Sequence, residues 1–371
     1  MELSKKQQLI EKLKKKHPDE LKMVLGFDGF IDEIIHVVDK RRDFEHFTRI
    51  DTIADFAERI KRASGLSTNI ELYPAHKKMG GNGPIMCNAL SQHNADITYI
   101  GALGDPSIDD IFKTMPVNVD LISLANFGHT DALEFDDGKL LFGKMASLND
   151  VTYERLVERI PEDKLISFLD YTDLFATVNW SMLPNLTDMW DKIAENILPK
   201  MDTAEKKPIF FVDLADPEKR EDEEIKRALK SLKKFKDTFT FVLGLNKKEA
   251  FDIHSLIFGD KTDKTLASVA KELAGFIETD ALVIHPVDRS GVYYKGAYYE
   301  ENGPYVKKPK LTTGAGDNFN AGFVLGLLLD LNPDEALLVG MGTSGYYVRN
   351  AKSPTFDELI AFIGAWDNNR I

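Results

Sequence analysis

Between residues 174 and 245 the chain repeats one unit, a short apolar run followed by a longer stretch with apolar residues at helical spacing. The runs are residues 174–180, 208–213 and 239–245, with helices expected near 186–198 and across the mixed-charge segment 218–236. Strands joined by helix-length connections pair in parallel, because only a crossover returns the chain to the same edge of a sheet. An open α/β sheet covered by helices is therefore expected, and such sheets bind ligands at the carboxyl ends of their strands. The first strand, residues 22–27, is halted around Gly26 and Gly29 and delivers Asp28 and Asp32 to that edge.

At 371 residues there is material for one large α/β domain with a small accessory part, or for two domains. Residues 3–17 place Leu9, Ile10 and Leu13 on one side of a lysine-rich helix that ends at Pro18. The expected division is an accessory N-terminal helix, 1–20, and a main domain, 21–371. A net charge of −13 argues against nucleic acid or an anionic membrane surface as partner, since both draw their affinity from clustered Lys and Arg. A small molecule fits better. The single Cys87 allows no intrachain disulfide and fits a reducing compartment. No run is long and apolar enough for a signal peptide core or a bilayer span, so a cytoplasmic location is expected.

Three places combine turn chemistry with a helix start. Residues 311–322 contain Gly314 and Gly316 ahead of an apolar run, with Asp317 just inside the helix. A helix N-terminus offers free N–H groups and a positive dipole end to a phosphate, and Asp317 stands where it can take a proton from an attacking hydroxyl. Residues 79–90 repeat the arrangement with Gly80, Gly81 and Asn82. Asn246 and Glu249 follow the strand at 239–245, where they can cap a helix or order water around magnesium. Residues 127–148 read as a hairpin about Asp137-Gly138. A helix begun at Asn332-Pro333 carries small residues that admit a flat ring or a second backbone.

The stretch 311–317 resembles the second signature of the ribokinase/PfkB family of carbohydrate kinases, D-T-x-G-A-G-D, and Phe319 to Phe323 match the F-x-x-G-F that follows it. Gly80 and Gly81 resemble its first signature, G-G-x-x-x-N, and Asn246 with Glu249 its N-x-x-E. Four positions depart: Leu311 replaces Asp, Ile85 replaces Asn, and His285 and Val287 do not keep the usual T-x-G-x-x-G turn.

The resemblance implies a three-layer α/β/α ribokinase-like fold with a mostly parallel central sheet and a small β lid, drawn from residues within 30–76 and 127–148. It also implies ATP and Mg²⁺, with the γ-phosphoryl group moving to a hydroxyl of a sugar, polyol or nucleoside. Asp317 would be the base, and a low-pKa carboxylate suffices for a loose transition state. The N–H groups of Gly314, Ala315 and Gly316 would form an anion hole. Asn246, Thr313, Gly314 and Gly316 would bind nucleotide, Asp28, Asp32, Gly80, Gly81 and Asn82 the sugar, and Glu249 magnesium through water. Lids of this kind often pair into homodimers. An ADP-dependent sugar kinase and a non-catalytic sugar sensor stay open as alternatives. A nicotinamide dehydrogenase does not fit, because no G-x-G-x-x-G follows the first strand.

Overall fold

The computed structural model describes residues 3–202, 207–259 and 264–371; Met1 and Glu2, at the start of the expected accessory segment, lie outside them. After α1 (Lys5–Leu13) and β1 (Lys22–Phe27) the chain leaves the body for β2 (Phe30–Arg41), β3 (Phe47–Arg49), α2 (Ile53–Arg62) and β4 (Leu72–Gly80). It returns with α3 (Asn82–Ser91), β5 (Asp96–Gly101) and β6 (Val119–Ser123), then goes out again as β7 (Gly128–Phe135) and β8 (Gly138–Lys144). The body continues through α4 (Tyr153–Arg159), α5 (Glu162–Asp170), β9 (Leu174–Thr177), α6 (Leu186–Asn196), β10 (Ile209–Asp213), α7 (Asp222–Leu232), β11 (Thr240–Leu245) and α8 (Lys247–Phe258). It closes with α9 (Leu266–Ile277), β12 (Ala281–Ile284), β13 (Arg289–Tyr294), β14 (Ala297–Asn302), α10 (Ala315–Leu328), α11 (Pro333–Asn350) and α12 (Phe356–Asp367).

Among the described residues the central sheet runs β14-β13-β12-β11-β10-β9-β1-β5-β6, parallel from β12 to β6 with an antiparallel hairpin at the other edge. The parallel strands are buried on both faces, which is why they read as unbroken apolar runs. Alternation along β10 sends Phe210 and Val212 into one core and Ile209 and Phe211 into the other. The first core stacks Phe210 on Phe235 at 4.3 Å between centroids, with Phe175, Phe239 and Phe241 around them. The second packs α3, α10 and α11 against the opposite face.

Strand β2 pairs parallel with β7 and antiparallel with β4 and β3, and β8 returns along β7. These five strands form the lid, with a small core of their own where Phe56 of α2 meets Ile35, Val37, Leu133 and Phe135. The hairpin turn sits one residue earlier than expected. Asp136 and Asp137 make it, and Gly138 already pairs with Phe135. Helix α1 opens with a capping box between Ser4 and Gln7 and buries Leu9 and Leu13. Lys12 meets Glu335 at 2.7 Å, a pair half in solvent that adds little to the apolar docking.

Candidate active site

Helix α10 begins at Gly314, whose φ of 87° lies in the region where a side chain is strained. A Cβ there would also stand 2.8 Å from Tyr347 Oη and 3.1 Å from Ile85 Cγ2. Tyr347 donates to the Thr313 carbonyl at 2.9 Å, so α11 pins the turn, and Ile85 packs against it as an apolar wall. The expected anion hole needs correction. Ala315 N–H donates to the Thr312 carbonyl at 3.1 Å and is turned back into the chain, whereas Gly316 N–H has no backbone acceptor among the described residues. Gly316 is helical, so its value is space: a Cβ on it would come no closer than 3.4 Å to anything but would face His285 Cε1.

Asp317 is 7% exposed, and its Oδ1 accepts from Asn82 Nδ2 at 2.8 Å. Burial pushes its carboxyl up to about 8; the Asn82 hydrogen bond pulls the other way, and repulsion from Asp28 and Glu249 adds to the rise. Burial thus works against the low pKa expected at a helix terminus.

The other glycine junction is built differently. Gly81, with φ 93°, caps α3, yet the helix N-terminus behind it already holds a carboxylate. Asp28 is fully buried, with Oδ1 accepting from Gly83 N–H at 2.9 Å and Oδ2 from Asn179 Nδ2 at 2.6 Å. Burial raises Asp28 to about 6 against those hydrogen bonds. Asp28 therefore does not line the cavity, a correction to its expected substrate contact. Asn179, in the left-handed region at φ 62°, lines it instead. Gly80 is also off the cavity wall. A Cβ on it would fall 2.6 Å from Asp32 Oδ1, so this glycine makes room for Asp32, which does line the cavity beside Thr130. Burial raises the Asp32 pKa, with Lys78 opposing.

Asn246 and Glu249 form a capping box at the start of α8: Asn246 Oδ1 accepts from Glu249 N–H, and Glu249 Oε2 from Asn246 N–H, each at 2.9 Å. Glu249 Oε1 accepts from Asp216 N–H at 2.9 Å as well. Asp213, at the end of β10, was not among the expected site residues. Its Oδ1 accepts from Ala215 N–H at 2.8 Å and its Oδ2 from Asn320 Nδ2 at 2.6 Å. Burial, then Glu249 and Asp317, raise its pKa well above the usual carboxylate range. Asp213, Glu249 and Asp317 repel one another, and every atom they could offer a ligand is an oxygen.

Two cavities flank the α10 N-terminus. One, about 330 Å³, is lined by Asp32, Asn82, Thr130, Asn179, Asp213 and Asp317, with Leu141 of the lid over it. The second, about 400 Å³, is mostly apolar, with Pro304, Tyr305, Met341 and Val348 in its wall. They share Asn246, His285 and Gly316. Val287 lines the second cavity, but Gly291 does not; it lies in β13, where a Cβ would strike Tyr298 Oη at 2.1 Å.

The fold is that of solved ribokinases. Thermotoga maritima ribokinase superposes with a TM-score of 0.62 at 15% identity, covering 93% of this chain and 99% of that one. An Arabidopsis thaliana ribokinase complexed with ribose and ATP gives 0.61 at 14% identity, covering 93% and 98%. A lidded α/β/α body with an acid at a glycine-capped helix N-terminus is the architecture of a carbohydrate kinase. A sequence profile of the prokaryotic ketohexokinase family matches residues 4–366, and the chain belongs to that family. A ketohexokinase of Haloferax volcanii is 28% identical over 354 residues, 93% of this chain and 91% of that relative.

Proposed function

We propose that this sugar kinase moves the γ-phosphoryl group of ATP to a hydroxyl of a ketohexose. The observation that carries the reading is the meeting of a polar and an apolar cavity at Gly316, with Asp317 on the polar side. The sugar would occupy the polar cavity against Asp32, Asn82, Thr130 and Asn179, with Gly81 beside it and Asp28 holding Asn179 from behind. The nucleotide base would lie in the apolar cavity and its phosphates toward Asn246, Thr313, Gly314 and Gly316.

Asn82 occupies Asp317 Oδ1, leaving Oδ2 to take the hydroxyl proton as the new O–P bond forms and the β–γ bridging O–P bond breaks. Because the transition state is loose, placement matters more than base strength, and free helix N–H groups balance charge on the phosphoryl oxygens. Asp213 and Glu249 would hold magnesium through its waters; bound there, it would neutralise phosphate charge and bring the neighbouring carboxyl pKa values down.

Residues 1–20 are read as an accessory helix on one kinase domain. The lid exposes Leu72, Tyr73 and Phe142, which suits pairing with a second copy and is checked by sedimentation. Among the described residues no helix is long and apolar enough to cross a membrane.

The test is product formation from ATP or ADP with magnesium over ketohexoses, aldohexoses, polyols and nucleosides. Turnover confined to ATP and ketohexoses is expected. Turnover with ADP alone would move the chain to the ADP-dependent kinases, and sugar binding without turnover would make it a sensor.

A further inference from the structure

His285 is one of the positions that leave the ribokinase pattern, and no step above uses it. Its backbone N–H donates to the Leu245 carbonyl at 3.1 Å, so it continues the β12 line beside the end of β11. The imidazole lies tilted over Phe319, 4.8 Å between ring centroids, and lines both cavities. It also faces Gly316: a Cβ built there would sit 3.4 Å from His285 Cε1. Its Nε2 is buried and has no hydrogen-bond partner, whereas the ring does bond to its own backbone. Burial lowers the imidazole to about 4, so in the protein alone the ring is neutral.

A buried polar nitrogen without a partner costs stability that a phenyl ring at the same place would not. Of the three residues shared by the two cavities, Asn246 already spends its side-chain oxygen on the α8 cap and Gly316 has no side chain. His285 is left with an unpartnered ring nitrogen on a side chain that lines both cavities. The one chemical group that must pass from one cavity to the other is the phosphoryl group in transfer.

We propose that His285 is a catalytic residue whose Nε2 hydrogen-bonds an oxygen of the transferring phosphoryl group, beside Gly316 N–H. The proposal rests on the phosphotransfer reading above. The acceptor's proton still goes to Asp317; the neutral ring, whose one proton points back to the backbone, takes up a second proton from solvent at Nε2 as the phosphate binds and keeps it through the transfer. With the ring already bonded to its own backbone, the arriving phosphate oxygen supplies both the acceptor and the negative charge that favours a proton on Nε2. Such a bond strengthens as charge redistributes over the equatorial oxygens.

The test compares His285→Phe and His285→Gln with wild type in kcat, in KM for sugar and nucleotide, and in Tm. Phenylalanine keeps the stacking on Phe319 and removes the nitrogen. It should hold or raise Tm while lowering kcat about a hundredfold, the scale for one donor to developing charge, with sugar KM changed by less than about threefold. Glutamine, whose amide nitrogen reaches the place of Nε2, should recover at least about tenfold over phenylalanine. Should the phenylalanine variant not fold, His285→Leu gives the same comparison against glutamine. Wild-type kcat in the folded phenylalanine variant would overturn the proposal and reduce His285 to packing. No turnover by wild type with any acceptor would instead overturn the phosphotransfer reading, and the two failures are told apart by the wild-type assay.

Discussion

Gly81 and Gly314 both cap a helix at positive φ, 93° and 87°, yet the N-terminus behind Gly81 is filled by the chain's own Asp28 while the one behind Gly314 opens on a cavity. The backbone grammar is shared; the difference lies in what packs against it. Tyr99 and Asn179 bring hydrogen bonds that hold a buried carboxylate on α3, whereas Tyr347 and Ile85 pin the α10 turn from the side and leave Gly316 N–H free. One helix start is thus a structural anion site, satisfied on folding, and the other opens on a cavity. A glycine-rich helix start becomes functional only when no internal acid reaches it.

The contrast breaks most directly at Asp317. Asp317→Asn keeps the shape and removes the proposed base, so kcat should fall by about 10²–10⁴-fold with nucleotide affinity held or tightened. A variant within tenfold of wild type would make α10 a second structural site. The same pair sharpens the electrostatics. A carboxyl whose folded pKa, about 8, exceeds its unfolded value gives stability that is full below about pH 4 and is lost as pH rises through 8. Asp28 titrates in both proteins, and Asp213, relieved of the Asp317 charge in the variant, shifts downward and acts in the same direction. The Tm of Asp317→Asn relative to wild type should therefore climb between pH 5 and 8, read by calorimetry without ligands.

The two junctions should also answer differently to an added methyl group. Gly81→Ala places a side chain in a glycine-only region and 2.7 Å from Asp28 Oδ2, so a stability loss of about 1–3 kcal/mol or more is expected from denaturant unfolding. Gly316→Ala, helical with 3.4 Å of clearance, should leave stability within about 1 kcal/mol and lower kcat roughly tenfold by narrowing the way past His285. Equal losses of stability at both sites would dissolve the distinction.

Glu249 is intermediate, since it caps α8 and also lines the cavity. Glu249→Gln can replace only one of its two accepting oxygens, so about 1 kcal/mol of stability should go along with a rise in the Mg²⁺ concentration for half-maximal rate. An unchanged magnesium titration would leave it a cap only. The smallest effect concerns Leu311, which offers no side-chain oxygen to the cation loop common in ribokinase-like enzymes. Exchanging a large inert cation for potassium at constant ionic strength should not raise the rate, and a several-fold increase would show the loop works without that oxygen.

Much of the body was legible because its strands are buried on both faces and punctuated by helices, so 174–245 could be read from hydrophobicity alone. Strand β2 was not. Its burial runs in pairs, with Ile34 and Ile35, then Val37 and Val38, both covered, which hides the two-residue period of a lid strand. The glycine-capped helix start at Asp317 was legible because its signal is local: glycine, glycine, acid and apolar helix in sequence. Asn82 stood one place among others until the fold brought it to Asp317 across 235 positions. Asp28 and Asp213 both follow or end an apolar strand, and nothing in their neighbours says that one is sealed and the other lines a cavity. That depends on Gly83, Tyr99 and Asn179, which come from three separate elements.

Strand β4 ends at Gly80 and α3 begins at Asn82, so the last lid residue and the residue that holds Asp317 are separated by Gly81 alone. The cover and the reacting carboxylate are two ends of one lever. Nine residues of β4 extend about 30 Å at ordinary strand rise, so the far edge of the lid and the hydrogen bond from Asn82 to Asp317 lie along one continuous run of backbone. Under the proposed reaction, covering the sugar and orienting Asp317 would be coupled through this one connection. Discrimination against water as a phosphoryl acceptor would then rest on the two peptide links around Gly81.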